Sequence, residues 1–275
     1  MDLFWLKEHC LWIKSNFELY GFLSHTAKLY NDSNAFKMNE IPKIIHQIWS
    51  GIDEPLPNPF RILGDTWKRD YPDWRYEFWD NERINNFILG YYPQYWDQYN
   101  NFPYNVQRWD AIRYLILDKI GGMYVDFDYE SIKSMEDLLQ NKTCCFAVEK
   151  AYSHENLLES DFFNNALMIS VPEHPFMKKI IENVFTDKML KYKNASKLEH
   201  VFYTTGPYLL VELYGNLTDG EKRDIHLIQA KYVSPFTGEE AMLVRTGTIN
   251  EELETCLEDA YAVHYFCSNW VTNDR

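Results

Sequence analysis

At 275 residues the chain is long enough for one large domain or two small ones, and with 46% apolar and 17% aromatic residues it can build a substantial core, which excludes intrinsic disorder. A net charge of −14 excludes a nucleic-acid backbone as the partner, which would demand a basic footprint. It leaves room for an anionic small ligand held by a cation and a few arginines.

In chain order, Leu3, Phe4, Leu6, Cys10, Leu11, Ile13, Phe17 and Leu19 recur at three- and four-residue spacing and predict a helix over residues 3–30. It reads as an extension packing on the main domain. Trp5, Trp12 and nearby lysines give it a second reading, an interfacial helix making peripheral contact with a membrane. Lys7, Glu8, His9 and Lys14 break any signal-peptide pattern, and no segment approaches the ~18–20 apolar residues of a membrane span. Asn31–Asn34 reads as a linker, which divides the chain into an N-terminal helical extension, 1–39, and a main domain, 40–275.

From Ile41 onward strands and helices alternate. Lys43–Trp49 is an apolar strand followed by Gly51 and a Pro-rich loop, then a short helix through Trp67. Trp74–Trp79 alternates as a second strand, and Asp80 or Asn81 could cap the next helix. Asn105–Ile120 predicts a strong helix burying Val106, Trp109, Ile112, Leu115, Ile116 and Ile120, with Gly121 as its stop. Further strands are expected at Met123–Asp128, Cys144–Val148, Ala166–Ser170 and Ala262–Phe266, and helices near Pro175–Tyr192 and Pro207–Tyr214. Asn164-Asn165 reads as a turn, and Thr205-Gly206-Pro207 as a helix start. This pattern predicts an α/β domain with a mixed, mostly parallel sheet flanked by helices, with ligands at the strand C-terminal ends.

Five cysteines, Cys10, Cys144, Cys145, Cys256 and Cys267, are odd in number and lack metal-ligand spacing, which suits reduced thiols in a cytosolic protein. Sequons at Asn31, Asn141, Asn194 and Asn216 make a secretory location the less favoured alternative.

The chemistry gathers at Asp126-Phe127-Asp128. In an extended strand Tyr124, Asp126 and Asp128 project to one face, where two like charges repel unless a cation relieves them. A divalent cation that also holds a phosphorylated ligand would do so. On the preceding helix Asp110 and Arg113 are three apart and share a face, and the short Gly121-Gly122 connection can fold that face toward the acids. Arg113 could neutralise a diphosphate while Asp110 accepts sugar hydroxyls; the alternative is a surface ion pair.

Ile41–Trp49, Trp109–Tyr114 and Gly121–Asp128 together resemble glycosyltransferase family 32, the DXD-motif sugar-binding glycosyltransferases. A more distant similarity is to the glucosylating domains of large clostridial toxins. The likeness runs from about Ile41 to Trp270. It implies a GT-A (Rossmann-like) fold, Mn²⁺ or Mg²⁺, a UDP- or GDP-sugar donor, and hexose transfer with retention to a glycan or glycolipid acceptor. Surface polysaccharide synthesis would suit, in the cytoplasm or at the inner membrane face. A sugar-nucleotide hydrolase or a protein-glucosylating effector using the same donor site is the alternative. Carried over residue by residue, Trp49 would stack on the base, Asp110 and Arg113 would hold the donor sugar, and Tyr124 would support the pocket. Asp126 would bind ribose and sugar hydroxyls beside the metal, and Asp128 would ligate the metal. Val263–Trp270 resembles the family's closing loop, so Ser268 and Trp270 would reach the metal and the β-phosphate. His264 would be a further metal ligand; Tyr265 stands near where the toxin domains carry a carboxylate. The resemblance also gives Asp80-Asn81 a second reading beside the nucleotide and Asn164-Asn165 one at the acceptor side.

Overall fold

The computed structural model describes residues 40–52, 54–150, 162–186, 192, 194–248 and 250–267. The expected helix at 3–30 and the linker at Asn31–Asn34 lie outside them.

Eight strands occur among the described residues: β1 (Ile44–Ile48), β2 (Arg75–Trp79), β3 (Gly122–Val125), β4 (Tyr129–Ser131), β5 (Cys144–Val148), β6 (Phe163–Ser170), β7 (Ile225–Ile228) and β8 (Ala262–His264). Six build one sheet in the order β2-β1-β3-β6-β5-β7, while β4 and β8 pair separately. The β2–β1, β1–β3 and β5–β7 pairs are parallel and both pairings of β6 are antiparallel, so the sheet is mixed and mostly parallel, as expected. Because β6 runs backwards, its start lies at the same sheet edge as the ends of β1, β3 and β5.

Among the longer helices are α1 (Asn58–Asp70), α2 (Asn81–Tyr91), α3 (Asn105–Ile120), α4 (Pro175–Val184), α5 (Lys197–Thr204) and α6 (Pro207–Gly215). Asp80 caps α2 by accepting from the Arg83 N–H at 2.8 Å, which is the structural half of its expected reading. Alternate residues of β3 serve two cores. Tyr124 belongs to the core that holds Ile112, Leu115 and Ile116 of α3 together with apolar residues of α4 and α6. Met123 and Val125 belong to a second core, with Trp67 and Tyr71.

Four expectations are corrected. The acidic strand stops at Val125 rather than Asp128: the Asp126 N–H bonds to the Ala166 carbonyl at 2.8 Å, then the chain turns, with the Tyr129 N–H reaching the Asp126 carbonyl at 3.2 Å. The last strand ends at His264 rather than Phe266, whose φ of 48° leaves the extended region. The helix from Pro175 ends at Val184, with Phe185 as its cap, and the strand expected from Ala166 begins three residues earlier, at Phe163. No helix among the described residues is long and apolar enough to cross a membrane.

Candidate active site

The opening strand holds both ends of β3. His46 Nε2 hydrogen-bonds the Gly121 carbonyl at 2.9 Å, and Gln47 Nε2 donates to the Asp126 carbonyl at 3.4 Å. Trp79 Nε1 donates to His46 Nδ1 at 3.1 Å, so the imidazole is neutral with its proton on Nε2. Burial pushes the His46 pKa down to about 3. Gly121 and Gly122 have φ of 71° and 101°, and a Cβ on Gly122 would sit 2.6 Å from the Ile44 carbonyl oxygen. Only glycine fits that connection.

Arg113 is the hub. Its Nε donates to the Trp109 carbonyl at 3.2 Å and its Nη1 to the Asn165 carbonyl at 2.8 Å. Asp110 lies 3.3 Å from Nη2 and Asp126 3.4 Å from Nη1, while the guanidinium sits 4.7 Å from the centre of the Tyr124 ring. Asp110 also accepts from Asn165 Nδ2 and Thr205 Oγ1, each at 2.8 Å. Burial raises Asp110 to about 6, against the opposing pull of Arg113. Tyr124 donates its hydroxyl to Asp126 Oδ1. Asp110 and Arg113 therefore form a buried network, not a surface pair.

The turn separates the two acids. Asp126 faces Tyr124 and Arg113, whereas Asp128 accepts from the Cys267 N–H at 2.8 Å and lies 3.4 Å from His264 Nε2. Burial alone would raise Asp128, but His264 and these hydrogen bonds hold its carboxyl below the usual range. His264 is placed by the register of β4 and β8, stacks on Tyr129 with ring centres 4.3 Å apart, and leaves Nδ1 buried without a partner among the described residues. No three His, Cys, Asp or Glu side chains among the described residues could hold a cation by themselves. Asp128 and His264, one carboxylate and one imidazole, could hold a hard or borderline cation only together with ligands from elsewhere. Ser268 and Trp270 lie outside the described residues.

Phe127, between the two acids in sequence, packs edge-on against Trp49 and Phe78. Trp49 is half-buried and donates its Nε1–H to the Glu54 carbonyl at 2.9 Å. Trp49, Asp110, Arg113, Tyr124, Asp126, Asp128 and His264 all line one cavity of about 280 Å³. Asn164 and Asn165, read from sequence as a turn or an acceptor-side lining, line it too, from inside β6. Glu149 also lines it, and sequence reasoning does not single it out: it follows an apolar strand, and only the pairing of β5 with β6 brings it beside Asn164, whose Nδ2 donates to it at 2.9 Å. Gln47 likewise escapes a sequence reading as a support for Asp126.

The profile of a family described as "Glycosyltransferase sugar-binding region containing DXD motif" matches residues 57–145. An uncharacterized glycosyltransferase of Acanthamoeba polyphaga mimivirus is 32% identical over 197 residues, 71% of this chain and 73% of that protein. Inositol phosphoceramide mannosyltransferase 1 of Schizosaccharomyces pombe is 30% identical over 63% of this chain; the chain spans about half, 51%, of that relative's length. Among solved structures, the PaToxG glycosyltransferase matches with a TM-score of 0.48 and 16% identity, covering 87% of this chain and 97% of that one.

Proposed function

The chain belongs to the family of glycosyltransferases whose sugar-binding region carries a DXD motif, and on that premise we propose that it transfers a hexose from a nucleotide-diphosphate sugar to a glycolipid acceptor, with retention of configuration. The observation that carries the reading is the convergence of the Asp110–Arg113 pair, the Asp126–Asp128 turn and His264 on the cavity that Trp49 opens. Relatives named as inositol phosphoceramide mannosyltransferases favour mannose as the hexose and an inositol-bearing lipid as the acceptor.

In this reading Trp49 offers its ring to the base, and Asp126 accepts ribose or sugar hydroxyls. Arg113, already fixed by Asp110, Asp126 and the Asn165 carbonyl, is held rigid for the donor's charge and needs little reorganisation to act. DXD glycosyltransferases of this fold generally use a divalent metal, and Asp128 and His264 are the side chains that would hold it. Bound Mn²⁺ or Mg²⁺ would supply positive charge for the departing nucleotide diphosphate. A glycolipid acceptor would bring the site to a membrane surface.

The test is a donor panel of GDP-mannose, UDP-glucose and UDP-galactose, with inositol phosphoceramide in micelles and with Mn²⁺ or chelator. The proposal expects cation-dependent release of nucleotide diphosphate with one preferred donor, and a product whose anomeric configuration matches the donor's by NMR. Release that is unaffected by chelator, or an inverted product, would contradict it.

A further inference from the structure

Four neighbouring strands each end, or begin, at the same edge of the sheet with a residue that lines the cavity. Trp49 follows β1, Asp126 follows β3, Asn164 and Asn165 open β6, and Glu149 follows β5. The order along the sheet is therefore the order along the cavity. Three strand spacings separate β1 from β5, about 14 Å, so a ligand whose base lies at Trp49 and whose phosphates lie beside Asp128 points its far end toward Glu149.

Glu149 is poised there without a salt-bridge partner among the described residues. One carboxylate oxygen accepts from Asn164 Nδ2 at 2.9 Å, and no hydrogen bond to the other is formed among the described residues. Asn164 does not depend on it for position, because its own Oδ1 already accepts the Ala166 N–H at 2.9 Å. The adjacent Lys150 is committed to Glu240 at 2.8 Å. Glu149 is half-buried, so its second oxygen stays open at the cavity wall, where a ligand can reach it.

We propose that Glu149 is the acceptor-side anchor of the cavity, its open oxygen taking a hydrogen bond from a ring hydroxyl of a sugar or polyol acceptor. The inference rests on the reading that Trp49 and the Asp126–Asp128 turn hold the donor. It assigns Glu149 a substrate contact, not a covalent step.

The experiment compares the unaltered chain with Glu149→Gln and Glu149→Asp, using GDP-mannose as donor and either inositol phosphoceramide micelles or free myo-inositol as acceptor. Acceptor and donor are varied separately, and donor hydrolysis is followed without acceptor. Glu149→Gln should raise the acceptor KM by about tenfold or more, the scale of one lost charge-assisted hydrogen bond, and by clearly more than it changes donor KM or donor hydrolysis. Glu149→Asp keeps the charge, carries the same readout if the amide variant folds poorly, and should raise the acceptor KM less. An unchanged acceptor KM, or equal losses in donor KM and hydrolysis, would overturn the assignment. Donor hydrolysis by the unaltered chain tests the donor reading separately.

Discussion

Arg113 shows how much one buried side chain can hold. Two carboxylates, two backbone carbonyls and a tyrosine ring surround it, so its removal leaves the buried Asp110 and the half-buried Asp126 as neighbouring charges without their cation. Arg113→Ala should lose about 3–5 kcal/mol of stability in urea unfolding, the usual cost of breaking a buried pair; a loss under about 1 kcal/mol would contradict the network. His46 makes a second prediction. Its folded pKa, about 3, lies below the ordinary value of 6.5, so between these values the unfolded chain binds the extra proton and stability falls as pH drops. Compared with His46→Gln, the unaltered chain should lose about 2 kcal/mol more between pH 7 and 5, at roughly 1.4 kcal/mol per unit. At this scale the sequence is informative where spacing suffices: Asp110 and Arg113, three apart on a helix, do share one face. Glu149 and Gln47 are not legible in it, because strand pairing alone brings them to the site.

The Asp126–Asp128 turn depends on elements distant in sequence. Gly64 on α1 leaves room for Phe127: a Cβ there would lie 2.8 Å from both the Phe127 ring and Gln47 Oε1. In an exposed helix Gly→Ala gains up to about 1 kcal/mol, but here overpacking should cost about 1–3 kcal/mol and move the turn. Gly64→Ala is thus expected to lower both the thermal midpoint and nucleotide affinity; a stabilised variant with unchanged affinity would refute that packing role. The period-two pattern of residues 123–128 suggests one strand through both acids. Each acid instead follows its own partners, Tyr124 and Arg113 for Asp126, His264 and the Cys267 N–H for Asp128. Local periodicity carries no information about such long-range partners. The start of β6 is hidden for a related reason: Asn164-Asn165 has turn chemistry, yet both side chains are buried, Asn164 bonded within its own strand and Asn165 to Asp110 on α3.

For the molecule as a whole, a net charge of −14 would repel a nucleotide diphosphate at long range. In the proposed function Arg113 and a cation at Asp128 and His264 would offset it locally. The alternating pattern of strands and helices makes the α/β class legible, but not the antiparallel insertion of β6, which sets the order of groups along the cavity. In the proposed function this cavity binds a nucleotide-diphosphate sugar through a cation at Asp128. The most direct measurement is nucleotide-diphosphate release from GDP-mannose with Mn²⁺ by the unaltered chain and by Asp128→Asn, with circular dichroism as the control for folding. The account predicts a loss of at least about a hundredfold in Asp128→Asn with the fold intact, on the scale of removing one electrostatic contact to the departing charge; full activity in that folded variant would contradict it.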